Sequence, residues 1–557
     1  MARNPDRDSV FVFDLVEHDA ADAGVPLATS LGDDTGRAGG VDDGDPRAGE
    51  LPRSSRWLSG GWRAAAPAAA VLAIVIGTGF ASDGMRDGAR LEQMRDVVGG
   101  VADLAVPLEE TWVWEGEVGG GPNRSGQEDM VGVLGRLLVF ESDGELVALE
   151  PGTGKEAWVV PLGDDAECGP MGGSLYVGPL ADPVSAVVCL QGRATDREAV
   201  LVRSDGEVPP ARALDPGDTR RYGAPRPGPD GTVLRATRVG PELKVDLGDA
   251  TCDASTGECS GMVEAGRDVE LRAEDAVTGE ARWSVTAPFR AADPGQCWRT
   301  EWEDLGNIMT FDGSIYPDAF GAWITTDLVN LHGCGVGAAV TPEGAVLGTA
   351  AEWGMAEVES LGADRYARVD YGRETRTLVY SGDGTVTGEF PGQVAGPRVA
   401  DGSGPAMLLG TDQTGQRLRA YAADGTRLWD IGGFGADRPY LAQVGETAVV
   451  DAAVEGVDVR GLDVATGAER WRWDGSADGD GVFQVFTDGR SVLLLLIDYE
   501  SGASEMVSLD AATGEVLWRE GGRHVWDDSG RPGTVATLMA VDGHLLEVAG
   551  DGVRGLG

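Results

Sequence analysis

The feature that most limits the fold of this 557-residue chain is a short motif that recurs along it. In each copy a glycine, preceded by threonine or aspartate, stands four residues before a tryptophan, as in EDAVTGEARW, LDVATGAERW and LDAATGEVLW. The glycines are Gly154, Gly279, Gly425, Gly467 and Gly514, and the tryptophans are Trp158, Trp283, Trp429, Trp471 and Trp518. A recurring unit indicates a repeat architecture before it indicates any chemistry.

One copy, LEPGTGKEAW from Leu149 to Trp158, contains the letters GTGK and so resembles a phosphate-binding loop. Such a loop needs G-x-x-x-x-G-K-[ST], because successive backbone N–H groups cradle the phosphates and a hydroxyl reaches the magnesium. Here Glu156 follows Lys155, and Leu149 stands where the first glycine should be. We interpret the glycine as the positive-φ residue of a tight hairpin. The tryptophan then starts the outer strand and buries a large face against a neighbouring unit. This burial stabilises the fold by about 2–3 kcal/mol.

Beyond Glu110 the chain consists of short β-rich runs broken by Asp-Gly and Thr-Gly pairs, which predicts an all-β fold. Trp429 and Trp471 are 42 residues apart, and Trp471 and Trp518 are 47 apart. A period of this length with four short strands is typical of a propeller blade. Weaker copies near Leu214, Gly348 and Phe390 bring the candidates to nine. We take the region from Ala211 to Gly257 as an overcount and predict a closed β-propeller of eight four-stranded blades, with seven as the alternative.

The last repeat, LMAVDGHLLEVAGDGVRGLG, stops where its fourth strand should run, whereas ETWVWEGE precedes the first full repeat and has no unit of its own. Trp112 and Trp114 in that stretch are therefore predicted to supply the missing strand. Ring closure matters physically because an open ring would leave unpaired sheet edges.

The region before the propeller divides into three predicted segments. Residues 1–60 are rich in Asp, Gly, Pro and Arg and are expected to form a disordered acidic cytoplasmic tail. Residues 61–82 contain an uncharged run, Ala64 to Ser82, long enough for a transmembrane helix to cross about 30 Å of hydrocarbon. Residues 83–108 form a juxtamembrane stalk with an amphipathic helix, and the propeller covers residues 109–557. The apolar residues of the stalk helix are Leu91, Met94, Val97 and Val98.

All six cysteines follow the apolar run, which predicts a single-pass plasma-membrane protein with an extracellular propeller. Short loops favour the pairs Cys168–Cys189, Cys252–Cys259 and Cys297–Cys334, although six cysteines allow other connectivities. The insertions that carry them are expected to decorate one face and to bind the partner. The chain has no C-x-x-C, and His18, His332, His524 and His544 are scattered, so no zinc site is predicted.

The formal net charge of −47 and the pI near 4.3 argue against binding to nucleic acid or to an anionic membrane surface. One apolar island interrupts the acidic tail, SVFVFDLVEH, in which Phe11, Phe13 and Leu15 alternate. Such alternation suits a strand added to a partner's sheet edge, so this stretch is a candidate cytoplasmic contact.

The stretches LDVATGAERW and LDAATGEVLW resemble the repeat of the PQQ-like β-propeller family, over roughly Thr111 to Gly557. In that family the tryptophan docks one blade on the next. The resemblance implies one of two functions: a quinone- and calcium-dependent dehydrogenase, or a non-catalytic scaffold such as the propeller of the outer-membrane protein assembly lipoprotein. The chain lacks the adjacent cysteines that often cover the quinone and lacks a C-x-x-C-H haem site. Asp474, Asp478 and Asp480 begin a calcium-like loop, but Thr487 stands where its glutamate should be.

These observations predict a non-enzymatic binding or scaffold module in the cell envelope, with a protein partner and no cofactor. Two alternatives stay open. One is a quinone-dependent dehydrogenase or other small-ligand enzyme in the funnel, and the other is a transmembrane sensor that signals through the tail. No G-x-S-x-G elbow points to a Ser/His/Asp enzyme.

Overall fold

The computed structural model describes residues 88–119, 131–163, 166–171, 183–193, 196–241, 249–252, 258–297, 302, 314–349, 358–362, 364–371, 374–412, 416–434, 439–453, 456–475, 480–498, 503–524 and 537–557. Within these ranges nearly all regular structure is β-strand, arranged as nine sheets that each contain four antiparallel strands, with a fifth strand in one of them. Each sheet is one blade of a β-propeller, and its strands lie side by side in chain order except in the last blade. The earliest strand of the chain, β1 (Glu110–Glu115), belongs to that last blade.

The first three blades occupy the part of the chain from residue 131 to residue 287, and blade 3 carries an additional two-stranded hairpin. Blade 1 comprises β2 (Val131–Leu134), β3 (Leu137–Ser142), β4 (Glu145–Leu149) and β5 (Glu156–Pro161). Blade 2 comprises β6 (Glu167–Gly169), β7 (Ala186–Gln191), β8 (Glu198–Arg203) and β9 (Arg212–Ala213). Blade 3 comprises β10 (Pro225–Gly228), β11 (Thr232–Val239), β14 (Asp268–Asp275) and β15 (Ala281–Ala287), with the hairpin β12 (Thr251–Cys252) and β13 (Cys259–Ser260).

The next three blades cover residues 320 to 432. Blade 4 comprises β16 (Phe320–Ile324), β17 (Val329–Gly333), β18 (Val336–Val340) and β19 (Val346–Thr349). Blade 5 comprises β20 (Val358–Gly362), β21 (Arg365–Tyr371), β22 (Thr375–Ser381) and β23 (Val386–Pro391). Blade 6 comprises β24 (Gln393–Ala395), β26 (Met407–Thr411), β27 (Arg417–Ala422) and β28 (Arg427–Gly432).

The last three blades complete the ring, and blade 7 gains a short fifth strand that runs parallel to its first. Blade 7 comprises β29 (Tyr440–Val444), β30 (Thr447–Asp451), β31 (Asp458–Asp463) and β32 (Glu469–Asp474), with β25 (Val399–Ala400) as the added strand. Blade 8 comprises β33 (Asp480–Thr487), β34 (Ser491–Asp498), β35 (Ala503–Asp510) and β36 (Val516–His524). Blade 9 comprises β37 (Thr537–Val541), β38 (His544–Ala549) and β39 (Gly552–Leu556), followed in the sheet by β1.

Nine blades correct the expected number of eight, and the alternative of seven is wrong as well. The region that we discounted, Ala211–Gly257, contains β10 and β11, which pair with each other and with β14 as in any other blade. The insertion between β11 and β14 separates these strands in the chain from Trp283. The sequence period is therefore lost in blade 3 although the blade itself is complete.

The core is divided among the gaps between blades. Each of the nine gaps holds its own cluster of buried, mostly aliphatic side chains, including the gap between blade 9 and blade 1. In that closing gap Val131 and Leu138 of blade 1 pack with Met539 and Leu546 of blade 9. β1 pairs antiparallel with β39 from Glu110 to Glu115, so the ring closes through both hydrogen bonds and apolar contact.

The residues before β1 lie against the ring. A helix, α1, covers residues 88–95, and Met94 on it is buried. Farther along, Val101, Leu104 and Leu108 are buried in the cluster between blades 8 and 9. In its described part, the segment that the sequence assigns to a stalk is thus packed on the propeller.

Tryptophans join five of the blades to the next blade by a hydrogen bond. The indole N–H of a tryptophan on the outer strand donates to a backbone carbonyl in the turn between the third and fourth strands of the following blade. The bonds are Trp158–Ser204 (3.3 Å), Trp283–Pro342 (2.7 Å), Trp429–Val464 (2.8 Å), Trp471–Ala511 (2.9 Å) and Trp112–Pro151 (3.0 Å). Trp112 on β1 therefore lies in the same position in blade 9 as the repeat tryptophans do in their own blades.

The turn of each repeat requires glycine for two structural reasons. Gly514 has a φ of 72° in its turn, and a Cβ there would lie 2.5 Å from Cε3 of Trp471 in the preceding blade. Gly467 is placed in the same way beneath Trp429, and Gly154 beneath Trp112. The glycine thus permits the positive φ of the turn and also leaves room for the tryptophan ring of the neighbouring blade.

The aspartate that begins the turn stabilises the conformation of the turn. Asp463 accepts hydrogen bonds from the backbone N–H of Thr466 (2.9 Å) and from its hydroxyl (2.8 Å), and it pairs with Arg470. These hydrogen bonds lower the pKa of Asp463 to about 2, and the bond from Arg470 contributes most to that shift. Asp275 and Asp510 make the same contacts with Thr278 and Thr513.

Three blades depart from the rule. In blade 2, Arg212 occupies the docking position and its Nε–H donates to the Ala276 carbonyl at 2.9 Å. In blade 4, Gly348 stands four residues after the turn glycine Gly344. In blade 5, Phe390 packs near Gly425 of the next turn and, as a phenylalanine, makes no hydrogen bond there. These are the blades whose repeats are weak in the sequence.

We expect Gly514→Ala to lower the free energy of unfolding by about 2 kcal/mol or more. The left-handed φ costs an L-residue about 1–2 kcal/mol, and the new Cβ collides with Trp471. Gly432→Ala is the matched control, because no atom lies within 4 Å of its Cβ position, and its effect should stay within about 0.5 kcal/mol. Denaturant unfolding followed by circular dichroism measures both, and equal effects of the two variants would contradict the packing argument.

Candidate functional site

The two ends of the blades form two different faces. In a four-stranded meander, the turns between strands one and two and between strands three and four lie at one end. The turn between strands two and three and the connection to the next blade lie at the other. We call the first the turn face, because it holds the repeat glycines such as Gly467 and Gly514. We call the second the insertion face, because it holds the insertion between β11 and β14 and the long connection from β15 to β16.

Two disulfide-bonded segments meet on the insertion face of blades 3 and 4. Cys252 is bonded to Cys259 across the hairpin β12–β13, and Cys297 in the β15–β16 connection is bonded to Cys334, directly after β17. Together we call residues 249–252, 258–267, 288–297 and 314–319 the stapled cap. Both bonds follow the pairing that short loops favour.

The parts of the stapled cap support one another. Val263 and Ala292 exchange two backbone hydrogen bonds of 2.9 and 3.1 Å, which join the insertion to the connection. Ala250, Val263 and Ala292 pack with Cys297 and Cys334 in a small buried cluster of their own. The cap is therefore a small, cross-linked body with a core separate from those between the blades.

Arg238, at the end of β11, anchors the cap to blade 3. Its guanidinium donates to the backbone carbonyls of residues in three separate segments, and its charge lies over the ring of Phe320, 5.5 Å from the centroid. The accepting carbonyls belong to Arg267, Pro317, Asp318, Ala319 and Cys334. Burial lowers the pKa of Arg238 to about 10, partly offset by Asp318, so the side chain stays charged near neutral pH. The sequence contains no signal that singles out this arginine.

The outer surface of the cap combines one large exposed apolar side chain with carboxylates. Met262 is 40% exposed, although Val263 beside it is fully buried. The acidic residues Asp249, Glu258, Glu264 and Asp293 are exposed on the same segments. An exposed methionine is adaptable in packing, and such a surface fits a partner that offers an apolar pocket with a basic rim.

The third disulfide lies elsewhere. Cys168 is bonded to Cys189 between the neighbouring strands β6 and β7, in the core beside blade 1. The expectation that all three cysteine pairs decorate one face is therefore wrong. Two pairs build the cap, and the third joins two strands inside a blade.

On the inner side of blade 4 an aromatic pair lines the first strands. Trp323 on β16 is 38% exposed, and its ring stacks on His332 of β17 with centroids 4.4 Å apart. Burial, with a smaller contribution from the charge of Arg226, lowers the pKa of His332 to about 4. Arg226 itself donates to the carbonyls of Trp302 and Ala322. His332 is thus a neutral packing residue near pH 7.

A cleft on the turn face lies where the ring closes. It is lined by Val97, Val98, Val133, Gly135, Pro183 and Ala540 together with Arg95, Asp96, Arg136 and Asp542. Arg136 of blade 1 binds Asp542 of blade 9 at 3.0 Å and Asp96 of the preceding segment at 3.2 Å. Arg136 thus joins the two sides of the closing gap at this cleft.

The remaining predicted positions divide into described and undescribed ones. Lys155 lies in the β4–β5 turn, in accordance with the hairpin interpretation of GTGK. Asp474 pairs with Arg472 at 2.9 Å, and Thr487 is buried with its hydroxyl bonded to the Ser491 carbonyl. Within the described ranges no group of three or more Asp, Glu, His or Cys side chains is arranged to hold a metal ion. Burial lowers the pKa of His544, on β38.

Several predictions concern residues outside the described ranges. They include the acidic tail with Phe11, Phe13, Leu15 and His18, the apolar run of residues 61–82, and Asp478; the side chains of Asp480 and His524 are likewise not described. In the part of the chain that the structure describes, no helix combines the length and the apolar composition needed to span a bilayer.

Comparison with known proteins adds little beyond the fold. No family model and no curated protein matches the chain. Among solved structures it is similar to BamB from Moraxella catarrhalis, with 14% identity over 81% of this chain and 99% of that one and a TM-score of 0.35. It is also similar to KlHsv2 with loop 6CD replaced by a Gly-Ser linker (9% identity, 61% and 94% covered, TM-score 0.26). A third similar structure is a protein of unknown function from Bacteroides caccae, with 12% identity over 45% of this chain and 90% of that one and a TM-score of 0.24. Similarities this distant say nothing of activity or partners.

We expect His332 to make the protein less stable in mild acid. Its pKa is about 4 when folded and near 6.5 when unfolded, so the unfolded chain binds the proton more readily. The stability from neutral His332 is complete above about pH 6.5 and is lost as the pH falls towards 4. The unfolding free energy of wild type should therefore fall more steeply over this range than that of His332→Asn. Parallel pH profiles for the two proteins would show that the buried histidine does not contribute.

Proposed function

We propose that this chain is a membrane-anchored, non-enzymatic scaffold that holds a protein partner in the cell envelope through the stapled cap. The observation that carries the proposal is the cap itself, a cross-linked body with its own core and an exposed methionine among carboxylates. A pre-ordered surface loses little conformational entropy on binding, which favours recognition. The resemblance of the repeat to non-catalytic PQQ-like propellers points the same way.

The location follows from the cysteines and from the predicted span. Three disulfides suit an oxidising compartment, and the uncharged run from Ala64 to Ser82 suits a single transmembrane helix that leaves the N-terminal tail in the cytoplasm. The propeller is then extracellular, and Phe11, Phe13 and Leu15 remain a candidate contact on the inner side.

A photoreactive residue placed at Met262 in the full-length protein tests this proposal in intact membranes. We expect one protein to be crosslinked reproducibly at Met262 and not at Val113, which is similarly exposed (46%) but lies on β1 at the rim of blade 9. The crosslink should weaken at least about tenfold when Cys252 and Cys259 are both replaced by serine, because the hairpin loses its staple.

Two results would contradict the scaffold. Equal crosslinking at Met262 and Val113 would mean that the cap is not a specific surface. Quinone-dependent substrate oxidation by the purified protein would favour the enzyme alternative instead. Asp249→Lys with Glu264→Lys is an electrostatic control, since reversing these exposed charges should weaken capture by a basic partner without changing the thermal unfolding midpoint.

A further inference from the structure

Blade 9 lacks a feature that every other blade has. Its third strand, β39, and its fourth strand, β1, lie at opposite ends of the described chain, so no covalent turn joins them. In blades 1, 2, 3, 4, 7 and 8 that turn supplies the carbonyl on which the preceding blade docks. Trp518 of blade 8 therefore faces a gap where its acceptor would normally be.

Residues 99–108 fill this gap. The indole N–H of Trp518 donates to the carbonyl of Leu104 at 2.8 Å, and the hydroxyl of Ser508 donates to the same oxygen at 2.7 Å. The backbone N–H of Leu104 donates to Asp488 at 3.0 Å, and Asp488 is itself buried. A segment from outside the blades thus takes the place of the missing turn.

The same residues occupy an apolar groove between blades 8 and 9. Val101, Leu104 and Leu108 are 2%, 0% and 6% exposed and pack with Phe486 and Leu545, among other residues. Their backbone is joined to the ring by isolated bridges, not by a ladder: Val101 donates to Thr487 at 2.9 Å and Ala102 to Gly543 at 2.8 Å. An extended segment held by side-chain anchors and a few backbone bonds resembles a bound peptide more than a strand.

We infer that residues 99–108 are a releasable clasp: they close the seam between blades 8 and 9, and their displacement opens it. The clasp lies between α1 and β1 in the chain. A force or a binding partner that acts on the chain before residue 88 therefore displaces the clasp before it displaces β1. Gly99, with a φ of 76°, and Gly100 are the first two residues of the clasp and join the rest of it to the segment that follows α1. The inference needs no particular partner at the cap, and it does not depend on the proposed scaffold function.

Native-state hydrogen exchange on the full-length protein tests whether the clasp opens as a unit. The amides of Val101, Ala102 and Leu104 should exchange at one shared rate, about 100-fold or more faster than those of β34, whose opening requires disruption of a whole blade. Leu104→Ala should speed exchange of the clasp amides by about 30-fold or more. Leu418→Ala is the matched control, an equally buried leucine in blade 6 that should leave the clasp rate unchanged.

A second measurement tests whether the groove accepts the clasp as a peptide. A labelled synthetic peptide covering residues 97–109 should bind the Leu104→Ala protein but not wild type, in which the tethered clasp holds the groove at high effective concentration. The same peptide with Leu104→Asp should bind neither. Failure of the first peptide to bind the variant would overturn the inference, as would uniform acceleration of exchange in all blades by Leu104→Ala.

A milder variant keeps the inference testable if Leu104→Ala does not fold. Trp518→Phe keeps an aromatic ring and removes the hydrogen bond to the clasp carbonyl together with part of the indole, a loss that Trp471→Phe shares. It should speed exchange of the clasp amides several-fold. Trp471→Phe, which loses a bond of 2.9 Å to the covalent turn at Ala511, should leave them unchanged. Identical exchange profiles for the two variants would show that the clasp does not open separately.

Discussion

The ring depends on one contact that is repeated between most of its blades, an indole N–H bonded to a turn carbonyl of the next blade. The donor and the acceptor lie on different sheets, so each bond fixes the position of one blade against its neighbour. Buried polar groups need a partner, and a tryptophan buried without one would be costly. The glycine beneath the ring completes the contact, because any side chain there would separate the two blades. Tryptophan, carbonyl and glycine therefore act as one unit spread over two repeats.

This dependence explains how the exceptional interfaces are built. Arg212 in blade 2 replaces the indole with a guanidinium and keeps the bond to the neighbouring carbonyl, at the cost of bringing a charge close to the core. Glu274 neutralises that charge, since its buried carboxylate lies 3.5 Å from the guanidinium of Arg212. The same carboxylate lies 3.4 Å from the guanidinium of Arg235. Burial lowers the pKa of Arg235, and Glu274 partly offsets the effect. Between blades 8 and 9 the donor is kept and the acceptor is replaced, with Leu104 in place of the missing turn.

The sequence was sufficient to predict the propeller, because turn glycine and docking tryptophan leave a pattern that is local in the chain. Gly467 and Trp471 are four residues apart, yet each contacts a different neighbouring blade. Blade number was underestimated because an insertion separates the first two strands of blade 3 from the rest of that blade, so the region that contains them was discounted. The stapled cap was only partly predictable. Cysteine spacing favoured its two disulfides, but the anchoring by Arg238 joins segments that are distant in the chain.

The same contact also decides where the propeller can vary. The turn between the third and fourth strands is held beneath the tryptophan of the preceding blade, as Gly514 is beneath Trp471, so an insertion there would displace the docking bond. The turn between the second and third strands and the connection between blades accept no such bond. In blades 3 and 4 these are the places that carry the additional chain, and the two additions meet and are cross-linked. A surface for a partner can thus be built on the insertion face without altering the contacts that hold the ring. On the turn face the clasp takes over a docking contact instead of displacing one.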